Sequence, residues 1–320
     1  MKIGGRVNGM KRLLLPAFLL PLVMSQCSCP TDYREVAQPE IKHAADVATL
    51  TPCQIEHYGT TLLAHSNDIE ITRALLAAGA KPDGKLIVKG MSHNGTALLN
   101  ATEPAVIKEL LQAGASSDMI GGADSHSPLC HACENGHNAK LKLLLDAGAD
   151  PNQVDSRGTP PLCLAAEDMN AQGCRLLLAH GAKPDLAREE DATAPLLCAM
   201  KAEGAPGAHT EAKFAVAQVL LRAGADPQQA DAEGCTPLHL APPELIPMLT
   251  AAGADVNARD MKGRTPLFYC NSPQQAEVLL RSGAELNALD QFGNTPFDMV
   301  QNAQVKSYLL IRGAASGHAL

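Results

Sequence analysis

A chain of 320 residues with 46% hydrophobic and 19% charged residues has the composition of a folded protein rather than a disordered one. Aromatics are only 3% and Trp is absent; Ala and Leu carry the apolar content, which favours closely packed helices over a bulky irregular core. A formal net charge of -8 lacks the electrostatic footprint of a DNA or RNA binder and argues equally against docking on an anionic lipid surface.

The chain opens on an address. Lys11-Arg12 precedes the apolar run Leu13 to Val23, which reads as the basic and hydrophobic regions of a secretory signal peptide. The run is too short for a membrane span and carries Pro16 and Pro21. Met10 offers an alternative start. Cleavage after Ser25 would release a mature chain, while Cys27 and Cys29 resemble the lipid-accepting cysteine of a bacterial lipoprotein, although Gln26 departs from that pattern. Residues 1–29 are therefore expected to be a signal peptide or lipoprotein-type signal, and the protein extracytoplasmic, in the periplasm or cell envelope, with membrane anchoring through a lipidated N-terminal Cys as one version. A cytoplasmic protein with an apolar tail is the alternative. Residues 30–57 carry no good copy of the pattern that follows and are expected to form an N-terminal arm or partial cap.

From about residue 58 to the C-terminus the sequence repeats. Gly-Ala recurs at Gly79, Gly114, Gly148, Gly181, Gly224, Gly253, Gly283 and Gly313, at intervals of 29 to 43 residues. Each follows an apolar stretch such as Leu143-Leu144-Leu145 or Val278-Leu279-Leu280. About 17 to 20 residues before most of them stands a second signature, as in Ser127-Pro128-Leu129, Pro160-Pro161-Leu162, Thr236-Pro237-Leu238-His239, Thr265-Pro266-Leu267 and Thr295-Pro296-Phe297. Pro at a first helical position is preset in φ and sacrifices no hydrogen bond. Leu141, Leu144 and Leu145 share one helical face, and the glycine after them suits a left-handed helix end. Asp-x-x-Gly, as in Asp155 to Gly158, Asp231 to Gly234, Asp260 to Gly263 and Asp290 to Gly293, marks a tight turn into the next unit.

These motifs resemble the ankyrin-repeat family, which implies an all-α solenoid of about eight helix-turn-helix repeats joined by β-turn fingers over residues 58–320. The copies differ in length. From Pro to Gly, repeats three and four span 20 residues, but repeats six to eight only 16 or 17. The missing turn is expected where the two helices meet, with Ser272-Pro273-Gln274-Gln275 supplying a capping box. Repeat five instead gains an insertion of about ten residues around 202–209.

Catalytic candidates are few. Cys130-His131-Ala132-Cys133 has Cys-x-x-Cys spacing, and a thiol oxidoreductase using Cys130 and Cys133 is the enzymatic alternative. Within a repeat, however, those positions call for small buried residues, and buried Cys serves as a small hydrophobe. Cys130 and Cys163 occupy equivalent sites in adjacent repeats. Helices packed about 8–10 Å apart leave them beyond the roughly 7 Å a disulfide tolerates. His131, His137, His180, His209 and His239 lack metal-ligand spacing, and no pattern calls for a cofactor. The chain is expected to be no enzyme. The family resemblance implies a scaffold that binds a protein partner through finger tips and the concave face. By position these are Ser156, Arg157, Glu233, Met261, Lys262, Arg264, Gln291, Phe292 and Asn294 on fingers, and Glu134, Asn135, Glu167 and Asp168 at inner-helix ends. Phe292 is the expected anchor. An inhibitor or immunity-type protein for an enzyme or toxin is the runner-up, favoured if the concave face is acidic and the target basic.

Overall fold

The computed structural model describes residues 41–88, 91–121, 126–202 and 208–319. The signal segment, Cys27, Cys29, most of the N-terminal arm and residues 203–207 of the repeat-five insertion lie outside them. Eight helix pairs stack in sequence, and their buried faces merge into one apolar core running from Val47 to Ala314. No pair could bury both faces alone, so each completes its core on its neighbours.

The pairs follow one plan. The inner helices of repeats three, four and five are Pro128–Glu134, Pro161–Glu167 and Pro195–Lys201, each starting on the expected proline. Outer helices Asn138–Asp146, Ala171–Ala179 and Ala208–Arg222 pack behind them. Every outer helix of the eight ends on its Gly-Ala glycine at positive φ, from 87° at Gly114 to 103° at Gly253. Two positions take a left-handed conformation without glycine. Met169 (φ 54°) replaces Gly136 in the turn between helices, and Ala192 (φ 56°) stands where other fingers have Gly.

The shortening falls on the inner helix. It is a single turn in repeats six and eight, Pro237–Leu240 and Pro296–Met299, and a 3-10 turn in repeat seven, Pro266–Tyr269. A truncated helix leaves carbonyls without partners, and the outer helix of the next repeat supplies donors. Gln275 Nε2 donates to Ala241 O (2.9 Å), and Asn302 Nδ2 donates to Asn271 O (2.8 Å). Ser272 caps as expected, accepting from Gln275 N, but the Gln275 side chain accepts from Asn271 N rather than from the cap residue itself. Repeat two is also short, with an inner helix of only Ala97–Asn100. Its stray Leu99 carbonyl accepts from Lys140 Nζ at 2.6 Å, from the outer-helix position that Gln275 fills in repeat seven.

Two features depart from the sequence reading. The array begins before residue 58, because the inner helix of repeat one is Pro52–His65, capped by Thr51. The finger into repeat two is an antiparallel hairpin, β1 (Asp83–Val88) paired with β2 (Met91–Thr96), with Asp83 opposite Thr96 and Val88 opposite Met91. At the other end the tail folds back on the last finger. Gly317 N donates to Asp298 Oδ2, and a Cβ at Gly317 would fall 1.8 Å from Gly293 O, so only glycine fits.

Candidate functional site: the finger ledge

Each regular finger is held from below by one buried aspartate. One oxygen of Asp155 accepts from Arg157 N and Thr159 N, both at 2.8 Å; Asp231, Asp260 and Asp290 each make the same two bonds, at 2.8 or 2.9 Å, to the second and fourth residues after them. The other oxygen takes a donor that differs from finger to finger. It is Arg157 for Asp155 (3.3 Å), Lys201 for Asp231 (2.9 Å), the Tyr269 hydroxyl for Asp260, and Arg264 for Asp290 (3.4 Å). Burial raises the Asp290 pKa, but bonds from the Asn294 and Phe292 backbones and from Arg264 outweigh it, and the net shift is downward.

Successive fingers are also joined tip to tip. Glu189 N donates to Gly158 O, Ala232 N to Asp191 O, Met261 N to Glu233 O and Gln291 N to Lys262 O, at 2.8 to 3.1 Å. The fingers of repeats four to eight therefore form one hydrogen-bonded ledge, not five independent loops. On it Met261 is 72% exposed and Phe292 63%, two large apolar side chains on adjacent fingers. Ser156, Arg157, Glu233, Lys262 and Gln291 are exposed beside them.

Two expected finger contacts face the other way. Arg264 and Asn294 are half-buried, and both turn down onto Asp290, Asn294 Nδ2 lying 3.3 Å from each carboxylate oxygen. They brace the ledge from beneath, because a buried carboxylate needs its donors more than the surface needs two polar groups. At the inner-helix ends Glu134, Asn135 and Asp168 are exposed, whereas Glu167 is half-buried and bonded to Arg188.

The finger of repeat five breaks the pattern. Arg188 occupies the place of the aspartate, with Arg188 N donating to Thr193 O where Asp155 N donates to Thr159 O, so one extra residue is accommodated. Arg188 and Lys201 were not legible as braces of the ledge, nor was buried His126 of the preceding finger, whose Nε2 lies 3.9 Å from Asp155 Oδ2. The signal for Arg188 was the loss of Asp-x-x-Gly before Pro195.

Neither cysteine of Cys130-x-x-Cys133 presents a usable thiol. Both are fully buried, and desolvation lifts Cys130 to about 11 and Cys133 well above its usual value, so neither supplies thiolate at neutral pH. His239 is structural too. Its Nδ1 accepts from Thr236 N and its Nε2 faces Arg264 O at 3.1 Å, tying repeat six to the next finger; burial lowers its pKa. Among the described residues no group of three or more His, Cys, Asp or Glu could hold a metal, and no helix is long and apolar enough to cross a membrane.

Comparison with known proteins agrees with this geometry. A family model described as ankyrin repeats (3 copies) matches residues 96–188 and 129–208. Ankyrin repeat protein nuc-2 of Neurospora crassa is 30% identical over 105 residues, 33% of this chain but only 10% of that protein, so the chain spans a small part of that relative. The human ASB11 ankyrin repeat domain superposes with a TM-score of 0.56 at 24% identity, covering 66% of this chain and 94% of that one. Helix pairs, left-handed glycines and finger aspartates lead to one conclusion: the chain folds as an ankyrin-repeat solenoid, and its residues 96–208 match the ankyrin-repeat family model.

Proposed function

We propose that this protein is a non-catalytic scaffold whose finger ledge and adjoining concave face bind a protein partner, with Met261 and Phe292 as the apolar anchors. The observation that carries the reading is the pair of exposed side chains on fingers fixed to one another by backbone bonds. Exposed apolar groups on a rigid support lose little conformational entropy on binding, and such residues dominate interface energetics. The net charge of -8 favours a protein over a nucleic acid as the partner.

We place the protein outside the cytoplasm, with residues 1–29 as the export signal and Cys27 or Cys29 as the acceptor if a lipid is attached. The inhibitor reading gains nothing from the ledge, where Arg157 and Lys262 are interspersed with Glu233, Glu189 and Glu190, so no single sign of charge dominates.

The test is a tagged pull-down after mild crosslinking, with mass spectrometry of the captured protein and of the N-terminus, repeated with Phe292→Ala and Met261→Ala. The expected result is a processed N-terminus and a partner that the variants bind at least tenfold more weakly, with melting temperature unchanged. Wild-type affinity in both variants removes these residues from the site, and an intact N-terminus with cytoplasmic partners overturns the localisation.

A further inference from the structure

The cysteines of repeats four and five stand apart from the rest. Cys163 and Cys198 are both free, both fully buried, and lie on consecutive inner helices. Both sulfurs reach the same acceptor, Thr193 O, at 3.6 Å from Cys163 and 3.8 Å from Cys198, and Cys163 also meets Leu186 O at 3.6 Å. Cys130, at the equivalent site of repeat three, reaches only the loop carbonyl of its next neighbour, Gln153 O. The difference is one of register. Cys163 stands two residues after its helix-starting Pro161, as Cys130 does after Pro128, but Cys198 stands three after Pro195. That single step rotates Cys198 by about 100° around its helix and turns its thiol onto the same Thr193 carbonyl that the Cys163 thiol faces, whereas the Cys130 thiol faces Gln153 O.

The neighbouring Cys198 thiol and burial push the Cys163 thiol well up, Glu167 acts in the same direction, and the Arg188 guanidinium opposes them. Arg188 is the residue that replaced the finger aspartate. The irregular finger therefore brings a cation to the thiols where a regular one would bring an anion. Arg188 only partly offsets the effect of burial, so the Cys163 thiolate has to form on local opening rather than in the closed array.

We propose that Cys163 and Cys198 form a disulfide that staples the inner helices of repeats four and five when a low-molecular-weight disulfide is available as oxidant. The thiolate of one cysteine attacks the oxidant, forming a mixed disulfide and releasing one thiol. The second cysteine's thiolate attacks the protein sulfur of that mixed disulfide and releases the other thiol. Two protein S–H groups lose two protons and two electrons, one S–S bond forms, and one molecule of oxidant becomes two thiols. Both sulfurs are enclosed, so exchange proceeds while the array folds or opens locally, not on the closed surface.

The experiment refolds the full chain, as Cys174→Ala, in a buffer of reduced and oxidised glutathione, then alkylates it and digests it with trypsin without reduction. The substitution leaves Cys163 as the sole cysteine of peptide 158–175, and Cys198 is the sole cysteine of peptide 189–201. The expected product is these two peptides joined, two hydrogens lighter than their sum. The link should vanish in Cys198→Ala, and the oxidised protein should keep its helical circular dichroism. Alkylation of both cysteines after full oxidation, pairing of Cys163 with any other cysteine, or loss of helical signal on crosslinking would each overturn the proposal. If Cys174→Ala fails to fold, fragmentation of the linked peptides from the wild-type chain distinguishes Cys163 from Cys174 and gives the same decision.

Discussion

Lys140 is 2% exposed, and its ammonium meets a single polar partner, the Leu99 carbonyl. Burial pulls its pKa from an ordinary 10.5 down to about 8. Its neighbours offer no compensating charge pair; half-buried His131 is itself held below its usual pKa by burial and by Lys140. A lowered amine pKa means that the folded state binds fewer protons than the unfolded chain between the two values, so stability should rise with pH across that window. The size is roughly 3 kcal/mol, from 1.36 kcal/mol per pKa unit. Lys140→Met keeps the apolar stem and removes the titration, but leaves the Leu99 carbonyl unpaired at a cost of about 1–3 kcal/mol. At pH 7 the removed penalty matches or exceeds the lost hydrogen bond, so the variant should be more stable than wild type by about 0–2 kcal/mol. At pH 10.5 wild type should be the more stable by roughly 1–3 kcal/mol, because only the lost hydrogen bond then remains. Urea unfolding of both proteins at several pH values between 7 and 10.5 measures this. A difference that stays flat with pH would refute the assignment of a buried, neutralising lysine.

Other expectations follow from the fingers. Asp290→Ala strips the acceptor from Phe292 N, Asn294 N and Arg264, and should cost about 2–4 kcal/mol; a loss under 0.5 kcal/mol would mean that the finger does not need it. Asp155, Asp191, Asp290 and Asp298 all sit below the usual carboxylate range, because backbone and side-chain donors outweigh their desolvation. Their contribution is complete above the unfolded carboxylate value and disappears as pH falls through the folded ones, so thermal stability should drop steeply below about pH 4; half-buried His131 and buried His239, lowered by desolvation, should add a gentler rise with pH up to about 6.5. Ala192→Gly relieves a left-handed alanine that is exposed and should raise stability by about 0.5–1 kcal/mol; a decrease in the melting temperature would show that the finger of repeat five tolerates Ala192 without strain.

The regular part of the fold was legible because its signals are chemical necessities. The glycines at 79, 114, 148 and onward had to end helices at positive φ, and the prolines had to begin them. The hairpin of repeat two was hidden by compensation. Its finger is longer than the others, but the inner helix Ala97–Asn100 is shorter, so the spacing from Gly79 to Gly114 looks regular. The start of the array at Pro52 was missed because repeat one lacks the Thr-Pro-Leu sequence beyond Thr51-Pro52. In the ledge, finger position located the residues but not their direction. Met261 and Phe292 point out, whereas Arg264 and Asn294 turn in, a choice set by the Asp290 carboxylate, which Arg264 neutralises and to which Asn294 donates. Arg188 and Lys201 gain their roles from neighbouring repeats, through contacts that no single-repeat pattern contains.

The central claim, that the finger ledge is the binding surface, is tested most directly by site-specific photocrosslinking in cells. A benzophenone amino acid is placed at Phe292 on the ledge or at Arg281, whose side chain is 74% exposed on the outer helix Pro273–Arg281. One discrete protein adduct is expected from position 292 and none from 281. Adducts from 281 alone, or equal adducts from both positions, would contradict it.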